Sequence, residues 1–175
     1  YAPLGAVLVR SDLIDPVRRR TGSFVVGHTS SGNPLSCAAG AAVLRYVLDH
    51  NLIAHAADRG AYLLRRLTTV ADRHPIVGDV RGLGLLVGVE LVRDRATKEP
   101  FPPALAVARR VAAATLARGL VSYPGAGTVD GVAGDHLLYA PPLTITEEEI
   151  DFLVDVLDES FAEVATDLAD ADVPR

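Results

Sequence analysis

The sequence predicts an α/β protein in which a small mixed or antiparallel sheet is packed with helices, and three features carry that expectation. Apolar residues recur at helical spacing from 34 to 73, the period turns extended after Arg73, and helical spacing returns behind a capping signal near the end. With 175 residues, 49% hydrophobic and 22% charged, the chain is long and apolar enough to bury a core.

Tyr1 to Val9 reads as a turn leading into a short buried strand, GAVLV, and Ser11 to Arg20 as a polar helix or loop interrupted by Pro16. Pro34 to His50 is a predicted helix, with Leu35, Ala38, Ala39, Ala42, Val43, Tyr46 and Val47 on helical spacing. A second helix is expected from Leu52 to Arg73, closed by Pro75. The change of period near Arg73 marks a candidate domain boundary. Val77 to Val80 and Leu85 to Val92 read as strands around Gly82, Gly84 and Gly88. Arg93 to Pro103 is a charged, proline-rich loop, and Ala104 to Arg118 is an alanine-rich helix ended by Gly119. Two more short strands are expected at Val121 to Tyr123 and Leu137 to Ala140, joined by a loop with four glycines. The final helix opens with a capping box, Thr146 and Glu149, and puts Ile150, Leu153, Val154, Leu157, Phe161 and Val164 on one face. Its end is expected to fray after Asp167.

Composition narrows the partners. A net charge of −5, with sixteen arginines scattered among acids, argues against a nucleic-acid or acidic-membrane surface, so small molecules are the expected partners. The apolar run from Gly5 to Val9 is too short for a signal-peptide core or a membrane span, and a cytoplasmic location is expected. Cys37 is the only cysteine, which rules out a disulfide within the chain and suggests a packed core thiol. No histidine pair has metal-ligand spacing and no serine sits in a nucleophile elbow, so no metal site is expected. The glycines at 82, 84 and 88 miss the dinucleotide fingerprint, because Val87 stands where its third glycine is required; they are expected to shape a turn and admit a close neighbour. Asp135 and His136, a possible titrating pair, are read as ordinary strand-end residues.

The densest chemical signal is GHTSSGNPLSCAA, Gly27 to Ala39. Hydroxyl residues run into a glycine, a possible cap at Asn33, and Pro34 at the first helical position, where no backbone donor is needed. Hydroxyls beside the unpaired amides of a helix start suit a phosphate.

In order along the chain, GHTSSGNP, VRGLGLLVGVEL, YPGAGTVDG and LLYAPPLTITEEEID resemble the class III aminotransferases, pyridoxal-phosphate enzymes of fold type I. The resemblance implies that residues 1–50 are the end of the cofactor-binding large domain with an interdomain helix, and that 51–175 form the C-terminal small α/β domain. It implies that Thr29 reaches the phosphate of pyridoxal 5'-phosphate in the other subunit of a homodimer, with His28 and Ser30 as weaker neighbours. Arg81 matches a family arginine read as structural. No catalytic residue is expected in the chain itself: the family's Schiff-base lysine would lie before Tyr1, as would the aspartate and aromatic that hold the ring. Lys98, the only lysine, is expected to be a solvated loop residue. With no methionine and Tyr1 as its first residue, the chain is expected to be the carboxy-terminal portion of a longer enzyme, inactive alone.

Two positions speak to substrate. Family members that clamp an α-carboxylate carry an arginine where this chain has Leu138, and others place one in the glycine-rich loop near Tyr123 and Pro124. Neither leucine nor tyrosine neutralises a carboxylate. The resemblance implies amino transfer to a keto acid, and these two departures tilt the expected donor toward an amine or ω-amino acid and away from ornithine-type substrates. An aminomutase of the same fold and a non-catalytic dimerisation module are the alternatives.

Overall fold

The computed structural model describes residues 2–23 and 27–171, which form two compact units divided between Asn51 and Leu52. The first unit holds two helices, α1 (Ser11–Thr21) and α2 (Pro34–Asp49). In α1 the Arg10 guanidinium forks onto Asp12, Pro16 sits inside the helix, and Gly22 ends it in the left-handed region with φ 74°. The start of α2 follows the sequence: Asn33 Oδ1 accepts from the Ser36 amide at 3.1 Å, and Pro34 occupies the first turn.

Two expectations fail in this unit. Residues 5–9 form no strand, and Val7 and Leu8 are 90% and 93% exposed. An extended segment becomes a strand only when a neighbour completes its ladder, and none does so among the described residues. The Leu4 side chain lies instead against Gly40 of α2, where an added Cβ would meet Leu4 Cδ2 at 2.2 Å. Cys37 is exposed, not a core thiol, because no residue of α2 is buried; Leu35, Val43, Leu44, Tyr46 and Leu48 are exposed with it. Tyr1 lies outside the described residues.

The second unit is built on an antiparallel sheet of order β1-β2-β4-β3: β1 (Val77–Leu83), β2 (Leu86–Leu91), β3 (Tyr123–Gly125) and β4 (Asp135–Tyr139). Three helices accompany it: α3 (Leu52–Ala71), α4 (Val107–Ala117) and α5 (Glu147–Ala171). The candidate boundary near Arg73 is not one, since α3 packs on β1 and belongs to this unit. Val87, Val89, Leu91, Leu137 and Tyr139 point into a core with Leu63 and Leu67 of α3, Val107 and Val111 of α4, and the predicted face of α5. Strand alternation sends their neighbours the other way. Arg81, Gly88, Leu138 and Tyr123 are consecutive cross-strand partners, as are Asp79, Glu90, His136 and Gly125.

Local chemistry fixes each junction. Gly84, at φ 56°, is the first of the two residues linking β1 to β2, where a tight hairpin turn requires a positive φ. A Cβ on Gly60 of α3 would lie 2.1 Å from the Gly84 carbonyl oxygen, so this helix crosses the turn at a contact only glycine allows. Asp135 is buried and accepts from the Ala108 amide at 2.9 Å, capping α4 from a distant strand. The expected helix from Ala104 begins later because Pro103–Leu105 form a 3-10 turn and Ala106 has φ 46°. The capping box of α5 is formed in both directions, Thr146 N to Glu149 at 2.9 Å and Glu149 N to Thr146 Oγ1 at 3.2 Å. The helix continues past Asp167 to Ala171, and the rest of the expected frayed end lies outside the described residues.

Ion pairs join α3 to α5, Arg59 with Glu147 and Arg66 with Asp151, and just past the end of α3 Arg73 pairs with Asp158 at 2.6 Å while His74 Nε2 is hydrogen-bonded to the same carboxylate at 2.5 Å. Burial would raise the Asp158 carboxyl, but the bonds from His74 and Arg73 outweigh it and hold the group below the ordinary carboxylate value.

Two stability predictions follow. Gly60→Ala improves helix propensity yet overpacks the Gly84 turn, and should lower the unfolding free energy by about 1–3 kcal/mol in a urea titration. Because the folded Asp158 pKa is depressed, its contribution is complete at neutral pH and is lost as pH falls below about 4. Asp158→Asn should flatten the fall of the urea midpoint over that range.

Candidate functional site

Thr29 and Ser30 occupy an exposed turn just ahead of α2. The Ser31 amide donates to the His28 carbonyl at 2.9 Å, the Asn33 amide to the Ser30 carbonyl at 3.2 Å, and the His28 amide to Ser31 Oγ at 3.1 Å. The turn is therefore closed by backbone and by Ser31. Among the described residues, the hydroxyls of Thr29 and Ser30 take no protein partner. Both residues precede the start of α2, a 16-residue helix, and a hydroxyl is a group able to donate to a phosphate ester.

In the second unit, Tyr123 and Leu138 are direct cross-strand partners, 69% and 36% exposed. They share a groove of about 520 Å³ with Leu120, Ser122, Tyr139 and Pro141 among its walls. Their meeting follows from the pairing of β3 with β4 in a register that also sets Pro124 against Leu137. The expected strand at 121–123 is shifted to Tyr123–Gly125, since β4 reaches only those residues. Apart from the hydroxyls of Ser122 and the two tyrosines, the side chains of this groove are apolar, so it suits an apolar substituent.

Beneath the groove, Ser122 Oγ lies 2.7 Å from Tyr139 Oη and 2.8 Å from Thr115 Oγ1, and Thr115 Oγ1 donates to the Ala112 carbonyl at 3.0 Å. Burial pushes the Tyr139 phenol well above its ordinary value. Sequence spacing does not single out Ser122 or Tyr139. The available signal is alternation: with Leu138 outward, Tyr139 must point inward, and a buried phenol requires a partner.

Other candidate residues resolve into structure. Arg81 pairs with Asp79 and, at 3.8 Å, with Glu90 on the sheet face away from the helical core. Lys98 is not simply solvated: its amine donates to the Gly78 carbonyl and ties its loop to β1. The Asp135–His136 pair divides, Asp135 capping α4 while the His136 ring lies over Gly125. Among the described residues, no group of three or more histidine, cysteine, aspartate or glutamate side chains could hold a metal ion. No described helix is long and apolar enough to cross a membrane.

Comparison with known proteins places this arrangement. Residues 2–161 match the family described as Aminotransferase class-III. The chain is 39% identical over 168 residues to the uncharacterized aminotransferase YodT of Bacillus subtilis, covering 96% of this chain and 38% of that protein. It is 39% identical over 157 residues to the diaminobutyrate–2-oxoglutarate transaminase of Halomonas elongata, covering 88% and 32%. Among solved structures it is similar to a transaminase from the marine bacterium Virgibacillus, with a TM-score of 0.80 and 33% identity over 90% of this chain and 35% of that one. An (S)-enantioselective omega-transaminase from Thermomicrobium roseum gives 0.76 and 35% over 89% and 33%. The chain thus spans about a third of the length of these proteins, from 32% to 38%, and its small antiparallel sheet packed with helices is part of the fold type I transaminase architecture. On the match over residues 2–161 and the agreement in fold, the chain belongs to the class III aminotransferase family.

Proposed function

We propose that this chain works within a pyridoxal-phosphate-dependent transaminase that moves an amino group from an amine or ω-amino acid to a keto acid. The observation that carries this reading is the pairing of Tyr123 with Leu138 on an apolar groove, at the positions where the family resemblance implies substrate contact. The open hydroxyls of Thr29 and Ser30 ahead of α2 support the cofactor half of it. Bound pyridoxal phosphate supplies the electron sink for amino transfer. In this reading residues 1–50 belong to the cofactor-binding domain and 51–175 to the small domain, with the Schiff-base lysine outside this chain.

The chain's own residues hold and select. Thr29 donates its hydroxyl to the phosphate bound by the partner subunit of a homodimer, with Ser30 and His28 beside it, and the dipole of α2 favours the dianion there. Tyr123 and Leu138 receive the apolar part of the amine and keep water from it. A carboxylate directed at this wall would face no cation on either residue, which disfavours donors whose carboxylate must lie there, such as ornithine-type α-amino acids, and leaves the carboxylate of an ω-amino acid or keto acid to be met by a cation elsewhere.

Two measurements test the reading in the protein that carries this chain. Thr29→Val should weaken pyridoxal phosphate binding by about 10- to 100-fold, the worth of one hydrogen bond to a charged group, as read by absorbance titration. Thr29→Ser should retain most of the affinity, and unchanged binding in Thr29→Val would remove Thr29 from the site. Leu138→Arg places a guanidinium opposite Tyr123 and should shift kcat/KM toward carboxylate-bearing donors by about tenfold or more, a change of roughly 1.4 kcal/mol. An unaltered preference would detach this wall from the substrate.

A further inference from the structure

We propose that Ser122 is a positioning residue: its hydroxyl bolts the short edge strand β3 to α4 and β4, and so holds Tyr123 against Leu138 on the groove wall. The proposal rests on the reading that this wall meets the substrate.

The strand needs such a bolt. β3 has three residues, and its middle residue is Pro124, which has no amide proton, so ladder donation from β3 can come only from Tyr123 and Gly125. Among the described residues it lies at the edge of the sheet with β4 as its single neighbour. Ser122 immediately precedes it and makes the two side-chain bonds described above, to Thr115 of α4 and to Tyr139, the residue after Leu138.

Donor counting gives the bolt a fixed direction. Each hydroxyl has one proton, and a carbonyl oxygen can only accept. With the Thr115 proton committed to the Ala112 carbonyl at 3.0 Å, the Ser122 proton must go to Thr115 Oγ1, and the Tyr139 proton must then go to Ser122 Oγ. The order is therefore Tyr139 to Ser122 to Thr115 to Ala112. Thr115 is fully buried and Tyr139 nearly so, and the half-buried Ser122 between them is the link that joins both to β3. Alanine at 122 would strand the phenol proton of Tyr139 and free the start of β3. Phenylalanine at 139 would break the same chain from its other end, leaving the bond from Ser122 to Thr115.

The test combines backbone hydrogen exchange with steady-state kinetics in the protein that carries this chain. In Ser122→Ala the amides of Tyr123 and Gly125 should exchange at least about tenfold faster, while those of Val87, Val89 and Leu137 stay within about twofold. With 1-phenylethylamine as donor, KM should rise about fivefold or more with kcat within about twofold, and Ser122→Thr, which keeps the hydroxyl, should restore both. Tyr139→Phe should move the same two amides in the same direction by a smaller factor, and it carries the test if Ser122→Ala does not fold. Unchanged exchange at Tyr123 and Gly125 would overturn the proposal. So would an equal rise across the whole sheet, or a loss in kcat with KM unmoved, since either would make Ser122 a general stabiliser. If the parent protein turns over no amine, the transaminase reading fails, while the exchange pattern still decides whether Ser122 holds β3.

Discussion

The pairing of β4 with both β2 and β3 is the constraint on which the second unit depends. β4 lies between β2 and β3 in the sheet, and its alternation sends Leu137 and Tyr139 into the helical core while turning His136 and Leu138 to the opposite face. A slip of one residue would exchange those sets, burying His136 and Leu138 and exposing Tyr139. The core fixes the register, because Leu137 and Tyr139 are buried among residues of α3, α4 and α5. The same packing that stabilises the sheet therefore decides which side chains can meet a small molecule.

Polar groups secure the places where apolar packing alone leaves freedom. Asp135 ends its strand on the start of α4, Asp158 gathers Arg73 and His74 at the end of α3, and Arg118 at the end of α4 reaches Glu159 and Glu163 of α5. The exposed pairs among these add little individually. The buried ones matter more, because removing one partner leaves an unpaired group without water. Asp135, Thr115 and Tyr139 are of this second kind, and Tyr139 also lines the groove that carries the substrate reading.

Much of the fold is legible in the sequence where the information is local. The apolar face of α5 and its Thr146–Glu149 box, the Asn33–Pro34 start of α2, and the glycine turn between β1 and β2 are each written within a few residues, and each forms as the pattern predicts. What depends on distant partners is not legible. Gly5 to Val9 has the composition of a strand but no neighbouring strand among the described residues, and Cys37 has helical small-residue company but no covering surface. Asp135 reads as a strand-end acid until α4 is seen to begin beside it. For the candidate site, the hydroxyl run before a helix marks Thr29 and the family resemblance marks Tyr123 and Leu138, whereas the register that brings the last two together and the hydroxyl bond beside them arise only from tertiary structure.

Whether Thr29 and the Tyr123–Leu138 wall form one working site is decided by a crystal structure of the protein carrying this chain with pyridoxal phosphate and a substrate amine bound. The phosphate should lie within hydrogen-bond distance of the Thr29 hydroxyl of the neighbouring subunit, and the apolar substituent of the amine against Leu138 and Tyr123. A phosphate held elsewhere, with the groove between β3 and β4 turned away from the bound amine, would contradict it.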